Sequence, residues 1–206
     1  MAKNMKAVRA HFSELHDEFL VIPNAWSVGE IGILEKLGFK AIATTSVGLA
    51  TSLGRSDLSL SRDETLANIL PLAAGSDLPI KADYEAGFAD EAEAVAGNVA
   101  IAAKAGISGL SIEDRKGDIL YDLALAVERI KASRAAVDMV DPNIVLVGRT
   151  KGTGNNGDII QALRLGAANS LHQAGQQSQY PANTDGQAWV SGKRNGQPRF
   201  LAEVLQ

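Results

Sequence analysis

Ile80-Lys81-Ala82-Asp83-Tyr84-Glu85-Ala86-Gly87-Phe88-Ala89-Asp90 is an apolar run that ends on two carboxylates at alternate positions and then turns on a glycine. With Leu78 and Pro79 before it, the run reads as a short strand leading into a turn. Side chains two apart on a strand share a face, so the spacing predicts that Asp83 and Glu85 point the same way. Paired hard oxygen donors at the carboxyl end of a buried strand suit Mg²⁺, which takes one or two carboxylates and keeps waters for a substrate to displace. An isolated Asp-x-Glu is more often a solvated loop acid beside a helix cap, so the surrounding chain has to decide.

Outward from this stretch the same pattern repeats. Phe19-Leu20-Val21-Ile22 is a first strand, stopped by Pro23, with Asn24, Ala25 and Trp26 at its tip. Lys40 to Thr44 is a second, running into Thr45-Ser46-Val47-Gly48. Gly109-Leu110-Ser111-Ile112 delivers Glu113 and Asp114, and Ile144 to Val147 delivers Arg149 and Thr150. Helical patterns separate the strands. Ser27 with Glu30 and Ser61 with Glu64 are spaced as capping boxes, opening helices through Leu37 and over Thr65–Ala74. Asp90 with Glu93 opens one through Ala105 to Gly106, and another covers about Tyr121–Asp138. Strand starts near residues 19, 40, 78, 109 and 144 leave room for right-handed helical crossovers, which means a parallel sheet. Polar residues gather at the strand ends, as at the catalytic face of a (β/α)₈ TIM barrel. A doubly wound sheet would also bind its ligand at that end. The expected class is therefore α/β, of the (β/α)₈ barrel type, incomplete at about five units.

The 206 residues carry a net charge of −4, with 46% hydrophobic and 21% charged residues. That suits a globular chain with a sizeable core and gives no basic field for nucleic acid or anionic membrane. No cysteine is present, which excludes disulfides, thiolate metal sites and a cysteine nucleophile or acid. The N-terminal residues do not read as a signal peptide and no apolar run reaches spanning length. The expectation is a cytoplasmic protein with a small-molecule partner. His11 and His16 are read as surface or packing histidines, and Trp26 as packing beneath the mouth.

Several of these stretches occur together in order. They are Val21 to Trp26; Gly38 to Ser46 with Ser52-Leu53-Gly54 and Asp57; Ala82 to Phe88; Ser111-Ile112-Glu113-Asp114-Arg115; and Gly148-Arg149-Thr150. Between about Phe12 and Thr150 the chain resembles the isocitrate lyase/phosphoenolpyruvate mutase family. The resemblance implies a Mg²⁺-dependent barrel, with Mn²⁺ as a substitute, that makes or breaks C–C or C–P bonds beside a 2-oxo acid through an enolate. It implies that Thr45, Ser46 and Val47 bind the substrate carboxylate, and that Asp83 and Glu85 are the paired metal acids, although the second is usually Asp. It further implies that Glu113 is an additional acid near the metal with a catalytic part, and that Arg149 contacts the substrate and takes part in catalysis. The chemistry is consistent with these types, because a divalent ion and a guanidinium stabilise negative charge that develops on an enolate oxygen. The ordinary alternative for Arg149 is an ion pair with Glu113 across the mouth. The isocitrate and methylisocitrate lyases carry a Lys-Cys-Gly-His-type gating loop after the fourth strand. Arg115-Lys116-Gly117-Asp118-Ile119-Leu120-Tyr121 stands in its place, so those two activities are disfavoured.

From Gly152 the resemblance stops and composition shifts: all eight glutamines lie in residues 152–206, with only three acids. Stretches such as Gln173 to Gln179 and Ser191 to Gly196 show no strand signal. The expected organisation is a partial barrel over 1–151 and an atypical tail over 152–206, from a shifted frame or a truncated gene. Family members assemble as homo-oligomers through C-terminal helices, and the matching segment is missing here. Gly152-Thr153-Gly154-Asn155-Asn156-Gly157 fits G-x-G-x-x-G, but no strand ending in an acid follows at the required distance, so nucleotide binding is a distant alternative. The expectation is a Mg²⁺-dependent lyase or mutase acting on a small 2-oxo or 2-hydroxy carboxylate; the alternative is an inactive remnant of such an enzyme.

Overall fold

A computed structural model describes residues 3–17, 19–117, 119–150, 190–194 and 197–204. The helices are α1 (Met5–Leu15), α2 (Val28–Lys36), α3 (Ser46–Ser52), α4 (Arg62–Ala74), α5 (Ala92–Lys104) and α6 (Leu123–Val140). The strands are β1 (Ile42–Ala43), β2 (Ile80–Asp83), β3 (Gly109–Glu113), β4 (Arg115–Lys116), β5 (Ile119–Leu120), β6 (Val145–Thr150), β7 (Val190–Arg194) and β8 (Gln197–Val204). The main sheet runs β1-β2-β3-β6-β8-β7. From β1 to β6 every neighbour is parallel, and spatial order follows chain order without reversal. That single winding is what a (β/α)₈ barrel requires, whereas a doubly wound sheet reverses direction at its switch point.

Both capping boxes form: Ser27 and Ser61 accept from the backbone N–H of Glu30 and Glu64, and those glutamates reach back to the caps. Behind the sheet, Leu110, Ile112 and Leu146 bury against Val95, Val99 and Ala102 of α5 and Ile130 and Val137 of α6. Ala25, Ile31, Ile42, Leu72 and Ile80 make a second core under α2 and α4. On the inner face Ala41, Val145 and Val147 meet Phe12 of α1, with Leu15, Leu20 and Ile22 beside them. Helix α1 therefore closes the amino end of the strands and does not cover their carboxyl ends. His16 is a packing histidine: its ring stands edge-on to Phe12 with centroids 4.6 Å apart, and its Nδ1 lies 2.6 Å from the Phe12 carbonyl oxygen.

Several expectations need correction. The run Phe19–Ile22 is not a strand; the first unit pairs with β1 only through a bridge at Asn24, with Ala25 donating to Ala43 and Ala43 to Pro23. Leu20 and Ile22 are covered by the inner core, but Phe19 is 94% exposed, so the run has an anchor on one face only. Asp90 does not cap α5, whose N-cap is Glu91 without a side-chain bond. Its carboxylate instead accepts from Lys116 Nζ at 2.6 Å and the Tyr121 hydroxyl at 2.7 Å, which are stronger donors for it than a backbone N–H. The tail does contain strand: β8 pairs parallel with β6 and antiparallel with β7. Arg194 pairs with Gln197, so Asn195-Gly196, a two-residue hairpin signal, was the cue in the sequence. Gly152–Gly157, His172 and Trp189 lie outside the described residues. No described helix is long and apolar enough to cross a membrane.

Candidate active site at the carboxyl ends of the strands

Parallel register sets the site. Glu113, the last residue of β3, is the Cα partner of Arg149 on β6, and Asp83, the last residue of β2, is the partner of Ser111 two positions back. All three side chains belong to one face, and the long guanidinium spans the offset. Arg149 Nη1 donates to Asp83 Oδ1 at 3.2 Å and lies 3.1 Å from Glu113 Oε1. Asp83 and Glu113 are buried. The ion pair between Arg149 and Glu113, the ordinary alternative for this arginine, is thus present, with Asp83 as a third member.

The other oxygen of Asp83 is held from α3. The Ser46 backbone N–H donates to Oδ2 at 3.1 Å and its hydroxyl at 2.9 Å. Thr44 accepts from the Asp83 N–H at 2.9 Å through its hydroxyl, and Thr45 caps α3 by accepting from Gly48. Burial opposes ionisation of Asp83, but the Arg149 guanidinium, the Ser46 N–H, Lys81 and the Ser46 hydroxyl outweigh it, and the carboxyl sits below its ordinary value. Thr45 and Ser46 are buried and Val47 is half exposed at the same turn. Trp26 lies against this turn, since a Cβ on Gly48 would collide with its indole.

Glu85 is placed differently from the expectation. Strand β2 ends at Asp83, and Glu85 has φ +46°, a left-handed position in the turn, so strand alternation does not reach it. Its backbone joins the group: its N–H donates to Asp83 Oδ1 at 3.4 Å and its carbonyl accepts from Glu113 N at 2.8 Å. Among the described residues no three His, Cys, Asp or Glu side chains are gathered as a metal-holding group. Asp83 and Glu113 nevertheless present two carboxylate oxygens to one point at which a cation, the guanidinium, sits. That donor set fits Mg²⁺, which needs no more than two carboxylates and completes its shell with water and substrate oxygens.

Sequence reading missed the residues that hold the mouth in shape. Arg129 of α6 is buried and donates to the carbonyls of Ala89 at 2.6 Å, Asp90 and Ala86, all in the turn after β2. Its guanidinium stacks 4.1 Å from the Tyr121 ring centroid. The segment standing where the gating loop was expected is a small antiparallel hairpin, β4 with β5, tied to the same turn through Lys116 and Asp90. The signal for Arg129 was its place at helical spacing among Ala126, Ile130 and Ser133, which turns a charge toward the core.

The phosphoenolpyruvate phosphomutase family profile matches residues 12–181, some thirty residues past the point where the motifs stop. An uncharacterized Mycobacterium tuberculosis protein is 39% identical over 125 residues, 59% of this chain and 46% of that protein. The 2-methylisocitrate lyase of Salmonella typhimurium is 34% identical over 143 residues, 64% of this chain and 48% of the enzyme. Among solved structures, a Burkholderia cenocepacia J2315 protein with a provisional lyase/mutase assignment superposes with TM-score 0.76 at 34% identity, covering 80% of this chain and 63% of that one. The chain spans about half the length of the curated relatives it matches.

Proposed function

The chain belongs to the phosphoenolpyruvate phosphomutase family, that of the isocitrate lyases, and on this premise we propose that its site serves a Mg²⁺-dependent lyase or phosphonomutase reaction on a small 2-oxo or 2-hydroxy carboxylate. The observation that carries this reading is the convergence of Asp83, Glu113 and Arg149 at the ends of β2, β3 and β6.

In this reading Asp83 and Glu113 hold the ion, with Glu85 at its margin. Bound there, Mg²⁺ would act as a Lewis acid on the oxygen that becomes the enolate. Thr45, Ser46 and Val47 lie at the start of α3, where the Ser46 N–H already donates to Asp83 and the Val47 N–H, not used within the helix, can receive a substrate carboxylate. Arg149 contributes a planar pair of donors that orients a carboxylate and stabilises charge appearing on bond cleavage. The β4–β5 hairpin and the turn pinned by Arg129 follow the ends of β3 and β2 and are tied to one another through Lys116 and Asp90. No cysteine is present to deliver a proton, so a lyase reaction here draws its proton from another donor.

Oxalate, a mimic of the pyruvate enolate, is the appropriate probe. Calorimetric titration should show oxalate binding that requires Mg²⁺ and disappears in Asp83→Asn. Failure of wild-type protein to bind oxalate at saturating Mg²⁺ would mean that the site is not catalytic.

A further inference from the structure

We propose that Arg149 occupies the cation seat itself, so that the guanidinium and the divalent ion exclude one another between Asp83 and Glu113, and metal loading releases Arg149 toward the substrate. This rests on the metal reading above and extends it to an order of events.

The contact geometry separates this pair from an ordinary arginine–carboxylate fork. A fork engages one carboxylate with two nitrogens. Here one nitrogen, Nη1, serves two carboxylates, 3.2 Å from Asp83 and 3.1 Å from Glu113, the bridging role of a metal ion. The guanidinium is not fully satisfied in that place: Nε is buried and has no hydrogen-bond partner among the described residues. That donor is not used in the seat and becomes available to a substrate oxygen when the guanidinium leaves it. An ion seated at the oxygens of Asp83 and Glu113 would take the contacts that Arg149 Nη1 now makes with both carboxylates. Charge points the same way. A divalent ion neutralises both carboxylates, whereas one guanidinium neutralises one. Release also gives Arg149 its use, since a freed fork can grip a substrate carboxylate with two bonds. The resulting sequence is ion first, carboxylate second.

The test is Mn²⁺ binding followed by loss of the free-ion electron paramagnetic resonance signal, with melting temperatures of the chelator-treated proteins. Wild type is compared with Arg149→Met, with Arg149→Gln as the more conservative variant, and with Lys81→Met. Lys81 is a control because it adds to the positive field at Asp83 from β2 without occupying the seat. Expected is Mn²⁺ binding about tenfold tighter in both Arg149 variants, corresponding to removal of one favourable contact that the ion must displace. Metal-free Arg149 variants should melt below wild type and recover most of the difference when saturated with Mn²⁺, while Lys81→Met changes affinity much less. Unchanged or weaker Mn²⁺ binding in Arg149→Gln overturns the exclusion and leaves the metal reading intact. Equal tightening in Lys81→Met also overturns it, since the effect would then be the general field. Absence of Mn²⁺ binding in every protein, wild type included, overturns the metal reading and this inference with it.

Discussion

Asp83 is the residue on which most of the site depends, and its environment is lopsided. Oδ2 receives two donors from Ser46, while Oδ1 receives Arg149 and, at 3.4 Å, the Glu85 N–H. Ser46→Ala removes one hydrogen bond to a buried charge and should destabilise the protein by about 2 kcal/mol near neutral pH, measured by urea unfolding. The sign of the pH effect follows from the lowered carboxyl. The unfolded chain binds a proton at a higher pH than the folded one, so this stabilisation is complete above the ordinary Asp value of about 4 and fades as pH falls through the folded value. The stability difference between the two proteins should therefore shrink as pH falls below the ordinary Asp value; a difference that grew on acidification would show that the ionised form is not what Ser46 holds. Asp83 was legible as a candidate because a carboxylate at the end of an apolar run has few other uses, and its place beside Glu113 and Arg149 came from the structure. Its alternate partner Glu85 was misplaced, because the rule of alternation holds only while the strand continues, and the backbone leaves the strand at Tyr84 to reach φ +46° at Glu85.

At the scale of elements, β3 shows how closely the inner face is filled. A Cβ on Gly109 would lie 2.8 Å from Phe12 Cε1 and 2.9 Å from the Val145 carbonyl oxygen. The aromatic ring could shift, but the β6 backbone could not. Gly109→Ala should cost about 1–3 kcal/mol through overpacking, read as a lower melting temperature; a melting temperature equal to wild type would mean that α1 does not seat against β3. The four inner elements from β1 to β6 were readable because their apolar runs are bounded by helix caps and glycines. The first strand was not, since four apolar residues before a proline specify burial but not a ladder partner. The β7–β8 hairpin was missed for the opposite reason. Its flanks are too polar to show alternation, although Asn195-Gly196 between them is a hairpin signal in the sequence.

At the scale of the whole molecule, the described residues close the amino end of the strands through α1. Arg9 of α1 is buried and donates to the Ile107 carbonyl at 3.0 Å and the Ala103 carbonyl at 2.8 Å, with Asp141 paired at 3.3 Å. One side chain thus ties the plug helix to the end of α5, to the approach to β3 and to the residue after α6. Arg9→Met leaves Asp141 and two carbonyls without that partner and should cost about 3 kcal/mol, seen as a loss of folding stability with Mn²⁺ affinity, measured at a temperature where the variant is folded, essentially unchanged. A large change in affinity would mean that the closed end and the open end are coupled. What the sequence by itself determined is the alternation of strands and helices, the capping boxes and the identity of the acids and the arginine at the strand tips, because periodicity, caps and chain breaks are local properties. Only the tertiary structure decided that Arg149 bridges Asp83 and Glu113, that Arg129 braces the mouth, and that β8 pairs with β6. Those facts depend on register between strands far apart in the chain and on which buried charge finds which partner, and no local pattern encodes either.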